Sequence, residues 1–469
     1  MAIVVSSPQL PGPPALPLVG GNINQFALLR DPALYLMRQY QAYGPLSGLV
    51  AGDLRQFFAI GPEYNRLLLS DTALFHTIFE ALAPKHAKQR RRGVGLLNMN
   101  GAEHKQQRRL MMPAFHRKQV DGYRDTMAEF TQHMLDSWQA GQRRDIAADM
   151  QALTLLIACQ TLFGLDVSQD SQRIGALVKR FLGTNLFAPE VMLFPVDLPG
   201  TPFQRMLETN ARLEDEILAL ITRKRAMPGA QHDVLAALIH VRDEDGAALT
   251  DRELIGHTTT LLIAGHETSS NALTWTLFLL AQHPQVFADV VDEVTDVLGG
   301  SAPTVEQLGR LPLLERVVNE SMRLLPPAAV MSRISTAPFE IGPYHAPKGT
   351  FITLSQYVTH RLPELYPEPY LFKPQRWETI DPSPYEYLPF GAGSRMCIGR
   401  TFALMEIKIV LAMLLQRFRV EVVPNAQIDH QVKITLSPKR GMPVVVHAQD
   451  QQFTKTPVRG SIHQLVDVA

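Results

Sequence analysis

Thiols are scarce in this sequence: 469 residues hold only Cys159 and Cys397. Two cysteines so far apart exclude a disulfide framework, a four-thiolate zinc site and a CxxC redox pair. Any thiol chemistry must therefore rest on one residue acting alone. Net charge is absent as well, with 45 Lys plus Arg against 45 Asp plus Glu. That balance removes the overall attraction a nucleic-acid binder carries, so no nucleic-acid partner is expected. The start of the chain lacks a long apolar run: Met1-Ala-Ile-Val-Val turns polar and proline-rich by Ser6. A membrane helix needs roughly 20 apolar residues, and no basic segment precedes the run as in a signal peptide. The expectation is a soluble, cytoplasmic protein with no membrane anchor. Internal repeats, low-complexity linkers and composition breaks are absent too, which points to one domain over 1–469 with a proline-rich segment at 1–25.

What is present is mostly helical patterning. Asp31-Pro32 reads as an N-cap with proline at the first helical position, and Gly44 stops the pattern. Two short strand-like runs, 46–50 and 56–60, follow. Helical patterns then cover 62–69, 102–112, 118–139, 145–163, 170–185, 203–226, 233–241, 251–282, 285–298, 312–325 and 398–417. Strand-like pieces return at 420–423 and 444–446. Between His360 and Phe390 seven prolines forbid long helices, yet aromatic residues run throughout. Such a segment, 360–390, is expected to be pinned against the fold rather than free. The fold class expected is mainly α with a small β portion.

The lone Cys397 sits in Phe390-Gly-Ala-Gly-Ser-Arg-Met-Cys-Ile-Gly399, just ahead of a helical pattern. Glycines let a backbone approach a flat object closely and aim amide N–H groups at a sulfur. A thiolate placed there suits a metal, and the following helix N-terminus is expected to lower its pKa. An isolated cysteine is more often a small buried hydrophobe, and Cys159, on an apolar helix face with Leu155 and Leu162, fits that reading. The run Phe390-x-x-Gly393-x-Arg395-x-Cys397-x-Gly399 resembles the haem-ligand signature of the cytochrome P-450 superfamily, the haem-thiolate monooxygenases. The resemblance implies a triangular-prism haem-thiolate fold, haem b held by the Cys397 thiolate as axial metal ligand, Phe390 packed beside it and Gly399 behind it, and Arg395 on a propionate. Thiolate ligation pushes electron density onto iron and favours O–O cleavage.

A capping-box sequence, Thr250-Asp-Arg-Glu253, opens a helix long enough to cross a large domain. Its middle, Ala264-Gly-His-Glu-Thr268, puts a glycine and three polar residues into apolar sequence. Local departures of this kind concentrate at functional sites, although solvent-facing or core-satisfied polar groups are the ordinary alternative. The segment resembles the family's oxygen-activation motif. By that resemblance Ala264 and Gly265 adjoin the haem, Thr268 steadies the dioxygen being activated, and Glu267 relays protons through water.

Three further features follow the family pattern. Glu320 and Arg323, at i, i+3, would alone be an ordinary helix pair. With Arg376 they resemble the family's buried structural network; Trp377 stands where phenylalanine is usual. His104 and Arg108, one turn apart, resemble a propionate-binding pair, and Arg333 a further propionate partner. Two buried propionates require several cationic donors. Lys85 to Arg92 is a dense basic run whose default reading is a solvated loop, with an anionic substrate group or the propionate edge as the sharper options. Arg117, Lys118, Arg400 and Lys408 are the candidates for a basic docking face.

The resemblance implies a monomeric monooxygenase using dioxygen as co-substrate to hydroxylate or epoxidise a lipophilic small molecule of fatty acid, terpenoid or polyketide class. Leu96, Leu97, Phe187, Leu262, Ala328, Ala329, Val330 and Met442 are the expected pocket lining. No GxGxxG fingerprint is present, so electrons are expected from a separate ferredoxin or flavodoxin-type partner and its reductase. A peroxide-using or peroxide-isomerising enzyme of the same fold, or a haem sensor, is the alternative; Glu267 and Thr268 speak against both.

Overall fold

The computed structural model describes residues 9–15, 20–79, 93–164, 175–177, 180, 191, 195–227 and 233–468. Most of the expected helix 170–185, the basic run Lys85–Arg92 and Phe187 lie outside them.

Six helices frame the centre: α1 (Pro32–Tyr43), α2 (Gly101–Met111), α3 (Ile146–Phe163), α4 (Asp251–Gln282), α5 (Pro312–Leu324) and α6 (Arg400–Arg417). The caps follow the sequence. Asp31 accepts from the Leu34 N–H at 3.1 Å, and Thr250 and Glu253 close a reciprocal capping box at the start of α4. The pattern expected over 118–139 divides into Arg117–Asp121 and Arg124–Asp136, because the chain turns at Gly122-Tyr123.

The 32-residue α4 is unbroken and buried along most of its length. It packs lengthwise on α3. Contact is close because Gly265 faces Leu162, where an added Cβ would lie 3.2 Å from Cδ1. A tighter approach occurs at Gly256. A Cβ there would meet the Val94 carbonyl carbon at 2.1 Å, so the 93–95 segment can cross α4 only over glycine. Helix α3 is long and apolar enough to cross a membrane, but over half of it is buried inside the fold. That burial makes it a core helix.

Twelve short strands form the β portion among the described residues. Strands β1 (Leu46–Gly48), β2 (Gln56–Ala59), β3 (Phe75–Thr77), β5 (Met331–Ser335) and β8 (Phe351–Leu354) make one sheet in the order β1-β2-β8-β5-β3. Within it β2 and β8 run parallel and the other pairs antiparallel. A three-stranded sheet orders β4 (Arg143–Asp145), β12 (Pro443–Ala448) and β9 (Phe418–Val422). Two hairpins complete the set: β6 (Phe339–Ile341) with β7 (Tyr344–Ala346), and β10 (His430–Val432) with β11 (Leu436–Pro438). One apolar cluster runs through the helical part from Leu28 to Val468, and a smaller one lies under the five-stranded sheet.

Candidate active site

The cysteine loop is built by glycines and locked by its own backbone. Gly391 and Gly393 both take φ of +68°, and a Cβ on Gly393 would lie 2.2 Å from the Leu69 carbonyl oxygen. The loop therefore lies tightly on the helix Pro62–Ser70, a fit only glycine allows. The Cys397 N–H donates to the Phe390 carbonyl at 2.8 Å, and the Arg400 guanidinium lies 6.0 Å from the Phe390 ring centre. The Gly399 N–H serves the Cys397 sulfur.

Cys397 retains free surface although its thiol is deep among protein atoms, so that surface faces the interior. Burial pushes its pKa up, and the Gly399 N–H, Arg108 and Arg400 only partly offset this. The net shift without a bound metal is thus upward where the sequence suggests downward, because burial outweighs the N–H and the two guanidiniums. Cys159 is a different case. It is 1% exposed on α3, and burial pushes its thiol up to about 12. Cys159→Ala is expected to cost about 1 kcal/mol in a urea titration, the effect of a small core deletion.

A cationic group surrounds the Cys397 loop. His104 and Arg108 lie one turn apart on α2, Arg333 sits in the middle of β5, and Arg395 precedes the cysteine. Arg395 is held by Asn100, which accepts from its Nη2 at 2.9 Å. Asn100 also accepts from the Thr77 N–H at 2.9 Å, tying the loop to β3. Burial, then the charges of Arg333 and Arg108, lower Arg395 to about 10. Burial alone lowers Arg333 to about 10, and its Nε has no hydrogen-bond partner. Burial and the charges of Arg395 and Arg108 bring His104 down to about 4, so its imidazole is neutral at pH 7. Among the described residues no carboxylate pairs with Arg108, Arg333 or Arg395. Three guanidiniums gathered without an acid make a site that calls for a dianion.

The middle of α4 carries a mixed surface. Ala264 is exposed in the middle of a helix whose flanks are buried, so the fold presents an open interior face there. Thr268 donates from Oγ1 to the Ala264 carbonyl at 2.8 Å. His266 turns away: its Nδ1 meets the Leu262 carbonyl at 2.9 Å, and its own carbonyl accepts from Thr154 of α3 at 3.0 Å. Glu267 does not touch Thr268. Its Oε1 accepts from the Thr435 hydroxyl at 2.6 Å. Burial raises its pKa above the ordinary carboxylate value, while Thr435 and Lys433 pull the other way.

Glu320, Arg323 and Arg376 come together as expected. Glu320, fully buried on α5, accepts from Arg323 through both oxygens at 2.8 Å, from Arg376 Nε at 2.9 Å and from the Lys373 N–H at 3.0 Å. Arg323 donates further to the carbonyls of His360, Pro369 and Leu371, and Arg376 to those of Pro367 and Glu368. These bonds pin the proline-rich segment 360–390. Trp377 is more than a wedge: its indole N–H donates to Glu320 at 3.0 Å, a bond phenylalanine has no atom to make.

The expected pocket lining divides. Ala328 and Val330 keep part of their surface and Leu97 is exposed, while Leu96 is buried. Leu262 and Ala329, each 1% exposed, are packed into protein rather than presented to the open face. Met442 is misplaced by position analogy. It is fully buried just before β12, bonded through its backbone to the Asp145 carboxylate and to Ile146 at the start of α3. Lys408 pairs with Glu315 at 3.1 Å, whereas Arg117, Lys118 and Arg400 stay exposed.

Two residues escaped the sequence reading. Thr435 lies 168 residues from Glu267, and no local pattern joins them. Glu406, fully buried on α6, has no hydrogen-bond partner on either oxygen; it faces Ser269, and burial raises it to about 8. A glutamate amid Phe402-Ala-Leu-Met and Ile407 was the available signal for it.

Comparison with known proteins agrees with this geometry. A family model described as Cytochrome P450 matches residues 10–445. Cyclooctat-9-en-7-ol 5-monooxygenase of Streptomyces melanosporofaciens is 33% identical over 424 residues, covering 88% of this chain and 90% of that protein. Pentalenene oxygenase of Streptomyces avermitilis is 30% identical over 423 residues, covering 89% and 92%. Among solved structures, retinoic acid-bound cyanobacterial CYP120A1 superposes with a TM-score of 0.82 at 26% identity, covering 94% of this chain and 100% of the other.

Proposed function

This chain belongs to the cytochrome P450 family of haem-thiolate enzymes, and from that premise we propose that it is a monooxygenase of a lipophilic, terpenoid-class small molecule, with its site assembled on Cys397, Thr268 and Glu267. The observation that carries the reading is the set Arg108, Arg333, Arg395 and His104 beside Cys397, three cations and a neutral donor with no acidic partner among the described residues. A haem fits such a set: its two propionates supply the missing charge, and the free surface of the Cys397 sulfur supplies the ligand. When bound, the haem iron supplies dioxygen activation.

The residues of the chain do the rest. Cys397, held by the Phe390 carbonyl and served by the Gly399 N–H, would ligate the iron. Arg108, Arg333 and Arg395 would hold the cofactor carboxylates, and neutral His104 would offer them an N–H. Ala264, with no side chain beyond Cβ, leaves room on the open face of α4. Thr268 presents a hydroxyl there, and Glu267, raised above the ordinary carboxylate range, exchanges protons with it through water. Ala328 and Val330 supply apolar surface, which favours a substrate with few polar groups. The terpenoid class is supported by relatives named for cyclooctat-9-en-7-ol and pentalenene oxidation. Exposed Arg117, Lys118 and Arg400 support docking of a separate acidic ferredoxin or flavodoxin-type partner on the cysteine side, in a cytoplasmic enzyme built as one domain around its cofactor. Lys408, committed to Glu315, contributes less.

A terpene panel scored by the spin shift of the ferric protein, followed by product identification, tests the substrate class. No shift with any terpene, alongside a clear one with a fatty acid, overturns it. Thr268→Ala is expected to leave the spin shift intact while product per electron falls about tenfold or more, the scale of a lost proton-transfer group. Unchanged coupling removes Thr268 from the proposed role.

A further inference from the structure

The tip of the β10–β11 hairpin is fastened to both walls of the site. Thr435, 3% exposed, donates to Glu267 Oε1 at 2.6 Å and accepts from the Asn271 amide at 3.0 Å. The next residue, Leu436, accepts from the Trp275 indole N–H at 3.0 Å through its carbonyl. Its N–H donates to the Pro327 carbonyl at 2.8 Å, one residue before the apolar segment Ala328–Val330. Glu267, Asn271 and Trp275 are spaced four residues apart, so the hairpin lies along a single stripe of α4. Lys433, on the same tip, adds a positive charge within reach of Glu267.

We propose that Thr435 is a positioning residue for proton delivery: its hydroxyl fixes the Glu267 carboxyl between the hairpin and Thr268, so the hairpin decides where the acid stands. The inference rests on the proposed roles of Glu267 and Thr268 and adds a third participant from a distant part of the chain. Glu267 Oε1 is committed to Thr435, and Oε2 has no protein partner among the described residues. Oε2 is therefore the oxygen left to exchange protons with water and Thr268. A free glutamate has rotamers that point it elsewhere, and a carboxyl displaced by 1 Å loses much of its effect on a proton in flight. Because the same tip is bonded to Pro327, a movement of the Ala328–Val330 wall is transmitted to the acid through Leu436 and Thr435.

The test compares Thr435→Val, which keeps the shape and removes the hydroxyl, with Thr435→Ser, which keeps the hydroxyl. In the ferric holoenzyme without substrate, infrared spectroscopy should show one carboxyl band that Glu267→Gln removes. Thr435→Val should shift that band and Thr435→Ser should restore it. The rate at which the reduced holoenzyme consumes dioxygen, measured in H2O and D2O, should fall about tenfold with an altered isotope effect in Thr435→Val. It should stay within about twofold of the parent in Thr435→Ser. Amide exchange over 430–438 separates loosening of the hairpin from loss of the single bond. A Thr435→Val protein with parental band and parental dioxygen consumption overturns the proposal, provided Thr268→Ala lowers product per electron. If Thr268→Ala leaves product per electron unchanged, the underlying assignment of Glu267 and Thr268 fails instead.

Discussion

Replacing Cys397 with alanine is expected to abolish the red-shifted Soret band of the reduced, carbon monoxide-bound protein and all oxygenation with it. The band would report thiolate ligation, because a sulfur ligand would donate electron density to the iron of the bound haem. No described side chain substitutes for it: Cys159 is fully enclosed on α3, and no cluster of three metal-ligating side chains exists among the described residues. The mutant should remain folded, since the loop is fastened by Gly393 over Leu69 and by Arg395 on Asn100, neither of which needs the sulfur. Circular dichroism matching the parent, with a carbon monoxide spectrum lacking the band, is the expected pair. A retained band would remove Cys397 from the site.

Glu320→Ala is expected to bring the largest loss of stability, about 3–5 kcal/mol, because it leaves a buried guanidinium without its counter-charge. Arg323 is fully buried, and both of its bonds to Glu320 would go. Against the roughly 5–15 kcal/mol that holds a folded domain together, that loss lowers the urea midpoint sharply. Glu320→Gln should be milder, since an amide still accepts from Trp377 or Lys373. The carboxylate also sets a pH dependence. Burial would raise the Glu320 pKa, but hydrogen bonds and charges of Arg323 and Arg376 more than offset it and hold it below the ordinary value. Its stabilising effect is thus present above the usual carboxylate range and lost as pH falls through the depressed pKa. Glu320→Ala should remove that acid-side step from the parent's stability profile, and an unchanged profile would contradict the assignment.

Much of this was legible from spacing. Caps and stops marked α4 because Thr250, Glu253 and Pro284 are local signals. The loop of Cys397 was legible because glycines at 391 and 393 are required by backbone geometry at those residues. Contacts across the chain were not. The bond from Thr435 to Glu267 joins elements with no shared pattern, and strands β5 to β8 were missed because three to five residues carry too little periodicity. The thiol pKa was read in the wrong direction because a sequence shows the helix that follows Cys397 but not the protein packed around it. Position along the chain puts Met442 in the pocket, whereas its place is set by the bond of its N–H to the Asp145 carboxylate at the end of β4.

The gathered guanidiniums of Arg108, Arg333 and Arg395 also bear on biogenesis. Without a bound dianion the fold would hold these like charges together at a cost, which a dianionic cofactor would relieve. Capture relieves the repulsion only if the incoming ring brings carboxylates on the matching edge. Three such guanidiniums without an acid would favour a tetrapyrrole that carries carboxylates over an esterified one.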